Sequence, residues 1–493
     1  MVSPAGAIAY DGGLQAGPAR IVVLKLTSYP ASPTSSGVYA MLRTVYVCWS
    51  IVWFLSALTT PATVCHAADR KPNFLVILSD DVGWGEYGFQ GAKDIPTPNI
   101  DSIAKNGVRC SQGYVSGPYC SPTRAGFLTG RYQTRFGHEF NSVGDKLGLA
   151  LSETTIAQRL KAVGYSTCAV GKWHLGRGPE YRPTSRGFDE FFGTLANTPY
   201  YHPNAFVDSR ASGNIQKIDS DEFYTTEEYA ARAVDWLERH KGDPWFLYLP
   251  FNAQHAPLQA PQKYLDRFAN IPDENRKKFA AVMSALDDAV GRVLTKIREL
   301  EQEENTLVVF FSDNGGPTRQ TTSSNGPLKG VKATTWEGGV RVPFCMQWKG
   351  KLPAGKTYEN PIIQLDLLPT LLAAAGSEID PAWRLDGVNL IPYLTGENAG
   401  KPHETLYWRF GAQWAIRHGD WKLTRGPGAA AEVGLYNLAS DIGESKDLTA
   451  DEPAKAKELR GLWDKWNAEQ APPSLPKETP ANPAAKNAKK KAA

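Results

Sequence analysis

Residues 73–91 read "NFLVILSDDVGWGEYGFQG". The run 73–78 is apolar without alternation, and it gives way abruptly to Ser79, Asp80, Asp81 and glycines. A strand with one wet face alternates; a continuous apolar run marks a strand covered on both faces, as in a parallel sheet, and the polar break marks its C-terminal loop. The same grammar recurs: "STCAV" (166–170) runs into "GKWHLG", "WFLYLPF" (245–251) into "NAQHAP", and "TLVVFF" (306–311) into "SDNGG". Helical patterns lie between these runs: "NIDSIAKNG", "ETTIAQRLKAVG", "TEEYAARAVDWLERH" and "KKFAAVMSALDDAVGRVLTKIREL". Strands alternating with helices predict an α/β fold with a large, mainly parallel sheet flanked by helices. The loops after such strands open on one crevice.

Further along, the texture changes. "ETLYWRF", "WAIRHGDWKLTR" and "GLYNLAS" are short, aromatic and alternating, and "PAKAKELRGLWDKWNAEQ" is helical. We therefore expect a main α/β domain over 70–375, which carries the crevice, and a small C-terminal α+β subdomain with an antiparallel sheet over 376–470. The stretch 471–493, rich in Pro, Ala and Lys, is expected to be a disordered tail.

The 493-residue chain is 42% hydrophobic, ample for a large core. Its net charge of +3, without a basic aromatic stripe, does not argue for nucleic acid. Residues 41–67, "MLRTVYVCWSIVWFLSALTTPATVCHA", read as a signal peptide: Arg43, the apolar run Val45–Leu58, then Cys65-His66-Ala67 as the cleavage site. The run is short for a membrane span, so no stable span is expected, and an uncleaved anchor is the alternative. The protein is thus expected to be secreted or periplasmic. Residues 1–40 are taken as an unstructured or misassigned extension. Of six cysteines, Cys48 and Cys65 fall in the signal; Cys110, Cys120, Cys168 and Cys345 are too few for a disulfide framework. Cys168 and Cys345 sit in strand-like runs as small hydrophobes.

Cys120 is different. In "GPYCSPTRAGFLTGRY" (117–132), Ser121 is a good N-cap, Pro122 suits the first helical position, and Gly130 can end the helix. Cys120 would then lie at the positive end of a helix, which favours anions and lowers a thiol's pKa. A nucleophilic thiolate, a metal ligand and an ordinary loop cysteine are all compatible with this placement.

The segment Cys120-Ser121-Pro122-Thr123-Arg124, with "AGFLTGRY" after it, resembles the Cys-x-Pro-x-Arg signature of the type I sulfatases, the arylsulfatase and N-acetylgalactosamine-6-sulfatase group. The resemblance extends from about residue 72 to about 470 through "GKWHLG", "SDNGG" and "LKGVKATTWEGGVRVP". It implies an alkaline-phosphatase-like sandwich and oxidation of Cys120 to formylglycine by a formylglycine-generating or radical sulfatase-maturing enzyme. Asp80, Asp81, Asp313 and Asn314, all after strands, make a hard oxygen donor set that suits Ca2+, with the group at 120 beside it. Lys172 and His174 are spaced i, i+2 on an extended segment and should face one side. The resemblance implies that Lys172, His174, His255 and Lys332 contact the sulfate or the aldehyde hydrate, and that Arg124 steadies the hydrate. His255, with Lys332, would protonate the leaving alcohol; His174 would take the proton that lets sulfate depart. Lys329 is a second basic residue near Lys332, and His202 is a candidate for binding substrate at the pocket mouth. The expected substrate is a sulfated polysaccharide or glycosaminoglycan fragment. Two alternatives are a phosphate or phosphonate monoester hydrolase, and a glycan-binding protein in which Cys120 is never converted.

Overall fold

Phe74, Leu75, Val76, Ile77 and Leu78 are all fully buried, and they feed two different cores. Leu75 and Ile77 pack with Ile100, Trp236, Met283 and Val290. Phe74, Val76 and Leu78 pack with Phe127, Leu160 and Leu371 on the other face. This is why the run lacks alternation. Each such side chain contributes about 1.5–3 kcal/mol on burial. The computed structural model describes residues 70–141, 144–428 and 431–474. The expected extension, the signal peptide and residues 475–493 lie outside them.

In chain order the strands are β1 (Asn73–Ser79), β2 (Val108–Cys110), β3 (Gly113–Tyr114), β4 (Ser166–Lys172), β5 (Glu190–Thr194), β6 (Phe206–Asp208), β7 (Trp245–Pro250), β8 (Thr306–Ser312), β9 (Phe344–Gln347), β10 (Lys356–Tyr358) and β11 (Ile362–Ile363). β12 (Thr405–Phe410), β13 (Gln413–His418), β14 (Trp421–Arg425) and β15 (Val433–Asn437) follow. The main sheet has nine strands in the order β10-β2-β9-β8-β1-β7-β4-β5-β6. Its centre, β8-β1-β7-β4-β5, is parallel. Antiparallel partners join it at β9 and β6.

The main helices are α1 (Pro98–Lys105), α2 (Cys120–Thr129), α3 (Ile156–Ala162), α4 (Thr225–Arg239), α5 (Glu274–Glu299), α6 (Leu367–Ala374) and α7 (Pro453–Asn467). α1, α4 and α5 cover one face of the sheet; α2, α3 and α6 cover the other. α3 starts on a capping box between Thr155 and Gln158.

β12–β15 form the small antiparallel sheet, backed by α7. It shares a core with the larger part: Trp408, Ile416, Leu435, Leu459 and Trp463 pack with Tyr114, Ile363 and Leu365. The first four residues of the expected tail are tied down. Ala471 N–H donates to Thr134 O at 3.0 Å, and Ser474 N–H to Gly137 O at 2.8 Å. Among the described residues no helix is long and apolar enough to cross a membrane.

Candidate active site

β8, β1, β7 and β4 are consecutive neighbours that run parallel, so their C-terminal loops meet. Asp313 and Asn314 follow β8, Asp80 and Asp81 follow β1, and His255 follows β7; Lys172 closes β4 with His174 two residues on. The first residue of α2 is Cys120. The loops are stitched together by backbone donors. Asp80 N–H donates to Ala253 O at 2.8 Å. Asp81 N–H donates to Asp313 Oδ1 at 3.1 Å and Val82 N–H to Ser312 Oγ at 3.1 Å. Gly83 has no substitute here, because a Cβ would sit 2.1 Å from Ser324 O.

Cys120 Sγ lies 3.5 Å from Asp80 Oδ1 and 3.9 Å from Asp81 Oδ1. Arg124, one helical turn on, donates to Asp313 Oδ2 through Nη2 at 2.8 Å and Nε at 3.3 Å. Its Nη1 donates to Lys172 O at 2.7 Å. Lys172 Nζ pairs with Asp80, and Lys332 Nζ with Asp81 at 2.7 Å. Asn314 Nδ2 donates to Asp81 Oδ1 at 2.8 Å. His255 Nδ1–H donates to Ala256 O at 2.7 Å, which turns Nε2 toward Asp81 Oδ2 at 3.7 Å. The carboxylates of Asp80, Asp81 and Asp313 thus face the cations of Arg124, Lys172 and Lys332.

Ligand atoms of Asp80, Asp81, Cys120 and Asp313 all lie within 4.8 Å of one another. The Asn314 Oδ1 atom is buried without a hydrogen-bond partner. A buried polar atom left unpaired is costly. A hard cation coordinated by this amide oxygen and the carboxylates would satisfy it, so the residues fit a divalent metal of the oxygen-binding class. The asymmetry of exposure shows where the cluster meets solvent. The side chains of His255 and Lys332 are 18% and 11% exposed, whereas those of Arg124, Lys172, Asp80 and Asp313 are fully enclosed.

Burial opposes the charged form of Asp80, but Lys172, then His255, Arg124 and Lys332, outweigh it and hold its carboxyl well below the usual range. Asp313 goes the other way, raised by burial and then by the negative charge of Asp80. Burial, then Lys172, depresses His255 to about 4. Burial, then Lys172 and Arg124, pushes His174 well below the ordinary histidine range, so both imidazoles are neutral at pH 7. Burial alone would discharge Lys332; the Asp81 carboxylate overrides it and raises the ammonium well above its ordinary value.

Three sequence expectations need correction. Ser121 does not cap α2: Tyr119 holds that position in extended geometry (φ −149°, ψ 152°) with no side-chain cap. The Ser121 hydroxyl is engaged instead by His174 O and His138. The Cys120 thiol is not acidified by the helix end. Burial raises its pKa well above the ordinary value, and the carboxylates of Asp313 and Asp80 add to this against Lys172 and Lys332. Lys172 and His174 do not share a side by strand alternation, because His174 is left-handed at φ 61°. Lys172 pairs with Asp80 nonetheless, and the charge of Asp80 also acts on His174. Asp81 (φ 67°) and Ala333 (φ 66°), next to Lys332, are left-handed too. Such non-glycine residues store about 1–3 kcal/mol each and concentrate at functional sites.

Lys329 is elsewhere: its Nζ donates to Glu444 O at 2.9 Å and sits 3.8 Å from the Trp336 ring centroid. His202 stands apart from the cluster, between Asp219 Oδ1 at 3.1 Å and Asp221 Oδ1 at 2.8 Å. Two residues before it, Tyr200 O–H donates to His255 O at 3.0 Å, which puts that loop beside the site. Sequence reasoning missed Tyr200, Ser312 and His138; a buried tyrosine or serine carries no pattern of its own, and only the loop position of "RFGHEFN" near the signature marked His138.

The family profile described as Sulfatase matches residues 72–377. The chain belongs to the sulfatase family. A second profile, "N-sulphoglucosamine sulphohydrolase, C-terminal", matches residues 331–470 of the sulfatase. It is 32% identical to arylsulfatase J of Mus musculus over 478 residues, 85% of this chain and 79% of that one. It is 33% identical to the N-acetylgalactosamine-6-sulfatase of Sus scrofa over 406 residues, 76% of this chain and 75% of that one. The solved structure of Ps i-CgsB in complex with k-i-k-neocarrahexaose matches with a TM-score of 0.77 at 34% identity, covering 83% of this chain and 96% of that one. PsFucS1 sulfatase from Pseudoalteromonas sp. matches with a TM-score of 0.73 at 27% identity, covering 81% and 90%. The sulfatase is therefore a sulfuric ester hydrolase with the α/β fold expected from its strands.

Proposed function

We propose that this sulfatase is exported, holds Ca2+ in the Asp80, Asp81, Asp313, Asn314 cluster, carries formylglycine at position 120, and removes sulfate from a saccharide. The observation that carries the reading is the unpaired Asn314 Oδ1 beside three enclosed carboxylates around Cys120. When present, formylglycine supplies a hydrated aldehyde in place of the thiol, and Ca2+ supplies positive charge for the sulfate oxygens. The chain's own residues do the rest. Lys172 and Lys332 hold two sides of the sulfate, and Arg124 fixes both Asp313 and the Lys172 main chain.

His255 and Lys332 are the partly exposed members, so the leaving alcohol departs past them, where His255 Nε2 hands it a proton. His255 is neutral in the resting protein; an arriving sulfate anion raises its pKa and loads it. His174, kept neutral by burial, accepts the proton that leaves residue 120 as sulfate is released. His202 contributes a saccharide contact from the neighbouring loop. The functional division is a catalytic part over 70–375 and a subdomain over 376–470 that shapes the outer pocket. The signal in 41–67 directs secretion or periplasmic export, where a maturing enzyme converts Cys120 along the way.

The names of the relatives, N-acetylgalactosamine-6-sulfatases and a protein bound to a neocarrahexaose, favour a sulfated saccharide. The test pairs two measurements on active protein. The Cys120 peptide should react with a hydrazide, and sulfated saccharides should be hydrolysed in preference to matched phosphate esters. Full activity with an unmodified thiol, or faster phosphate release, refutes the reading.

A further inference from the structure

His138 is 1% exposed, lies outside the cluster around Cys120, and has no part in the scheme above. Its Nε2 is 2.7 Å from Ser121 Oγ, and Ser121 Oγ is 2.6 Å from His174 O. A carbonyl can only accept. The single Ser121 hydroxyl proton therefore goes to His174 O, and Ser121 Oγ must accept from an Nε2–H on His138. These two contacts call for the Nε2–H tautomer, with the Gly148 backbone, which also bonds the ring, as the competing acceptor. Burial, against a hydrogen bond to the Gly148 backbone, keeps His138 neutral with its pKa depressed to about 3, so it does not titrate near neutral pH. Ser121 is held from a second side, since its N–H donates to Asn141 Oδ1 at 3.2 Å.

The far end of this chain of bonds lands on a residue that needs holding. His174 is left-handed at φ 61°, a conformation that a residue with a Cβ keeps only where its surroundings fix it. The Ser121 hydroxyl anchors the carbonyl of that same residue. We propose that His138 and Ser121 are positioning residues whose relay clamps His174 beside residue 120, so that the dipeptide Cys120-Ser121 supplies both the reacting group and the restraint on its base. Neither residue touches substrate. The inference rests on the assignment of His174 made above.

The test starts without turnover. The chain has eight histidines, so 15N-histidine labelling of the full, unconverted protein gives a tractable spectrum. His138 should show the neutral Nε2–H tautomer from pH 5 to 8, and Ser121→Ala should shift the His174 ring resonances. An Nδ1–H tautomer, or His174 resonances untouched by Ser121→Ala, overturns the proposal. The second arm is kinetic, with 4-nitrophenyl sulfate. His138→Leu and Ser121→Ala should lower kcat about tenfold, one hydrogen bond's worth, with KM unchanged. His138→Gln, which keeps an N–H donor, and Ser121→Thr, which keeps the hydroxyl, should return to within about twofold of the parent. Hydrazide labelling of each variant separates a loss of conversion from a loss of positioning. Equal losses in His138→Leu and His138→Gln indicate packing alone and overturn the relay. If His174→Ala keeps full kcat, the catalytic assignment fails; if it loses kcat while the relay variants do not, only the relay fails.

Discussion

Arg124→Met removes a cation from the enclosed cluster and keeps the volume. Arg124 donates to Asp313 at 2.8 and 3.3 Å and to Lys172 O at 2.7 Å, all fully buried. Hydrogen bonds to charged groups are worth about 1.5–3 kcal/mol each, but they do not add, because a stranded carboxylate can escape by taking a proton. Breaking a buried pair from one side costs about 3–5 kcal/mol, and that is the predicted deficit at pH 8 without metal.

The sign of the pH dependence follows from Asp313. Burial and Asp80 already raise its pKa, and loss of Arg124 raises it further. A carboxyl raised in the folded state destabilises the fold progressively as pH climbs above its unfolded value of about 4 toward the folded one. The deficit should therefore be smallest near pH 5 and largest at pH 8. Urea denaturation in a chelator, followed by tryptophan fluorescence at both pH values, measures it. Added Ca2+ should narrow the gap by restoring positive charge. A deficit below about 1 kcal/mol at pH 8, where breaking a buried pair should cost several, or one that is equal at both pH values, refutes the charge-balance account.

Asp81→Ala and Asn314→Ala should each weaken calcium binding in calorimetry and abolish most turnover while costing less stability than Arg124→Met; activity that survives exhaustive chelation counts against the metal site. His255→Ala should slow a saccharide sulfate by about 10²–10⁴-fold, the usual contribution of a general acid, and 4-nitrophenyl sulfate clearly less, since its leaving group needs little help. Equal losses would remove His255 from the acid role. With His255 held at about 4 in the free protein, kcat/KM for a saccharide sulfate should fall as pH rises above that value. kcat should persist to higher pH, because bound sulfate raises the histidine; coincident limbs would contradict the loading step.

The α/β architecture was legible because buried strands leave a composition that survives in one dimension. "NFLVIL" and "TLVVFF" are apolar at every position from 74 to 78 and from 307 to 311, since one set of side chains feeds each face. Their polar exits located Asp80, Asp81, Asp313 and Asn314. The small sheet was legible through alternation in "TLYWRF", where Leu406 and Trp408 are buried in the core and Tyr407 and Arg409 are only partly buried. Ser121 was misread because local capping preference competes with tertiary partners, and here His174 O and His138 won its hydroxyl. The thiol was misread because the helix end's pull on an anion is confined to its first turn, whereas complete burial and Asp313 and Asp80 act on the same atom more strongly.

The order of residues by itself determined the signature at 120–124, the loop positions of Asp80, Asp81 and Asp313 and the kind of fold that carries them, because each depends on chemistry within a few neighbours along the chain. Tertiary structure alone decided which strands are adjacent. Only the order β8-β1-β7-β4 brings Asp313, Asp80, His255 and Lys172 to one point although they are scattered from position 80 to position 313. It alone put Lys329 against Glu444 O and the Trp336 ring, set His174 and Asp81 in left-handed conformations, and left Asn314 Oδ1 unpaired. Those outcomes depend on close packing between distant segments, where a single ångström decides whether an atom is bonded, charged or free, and no local pattern of residues records that distance.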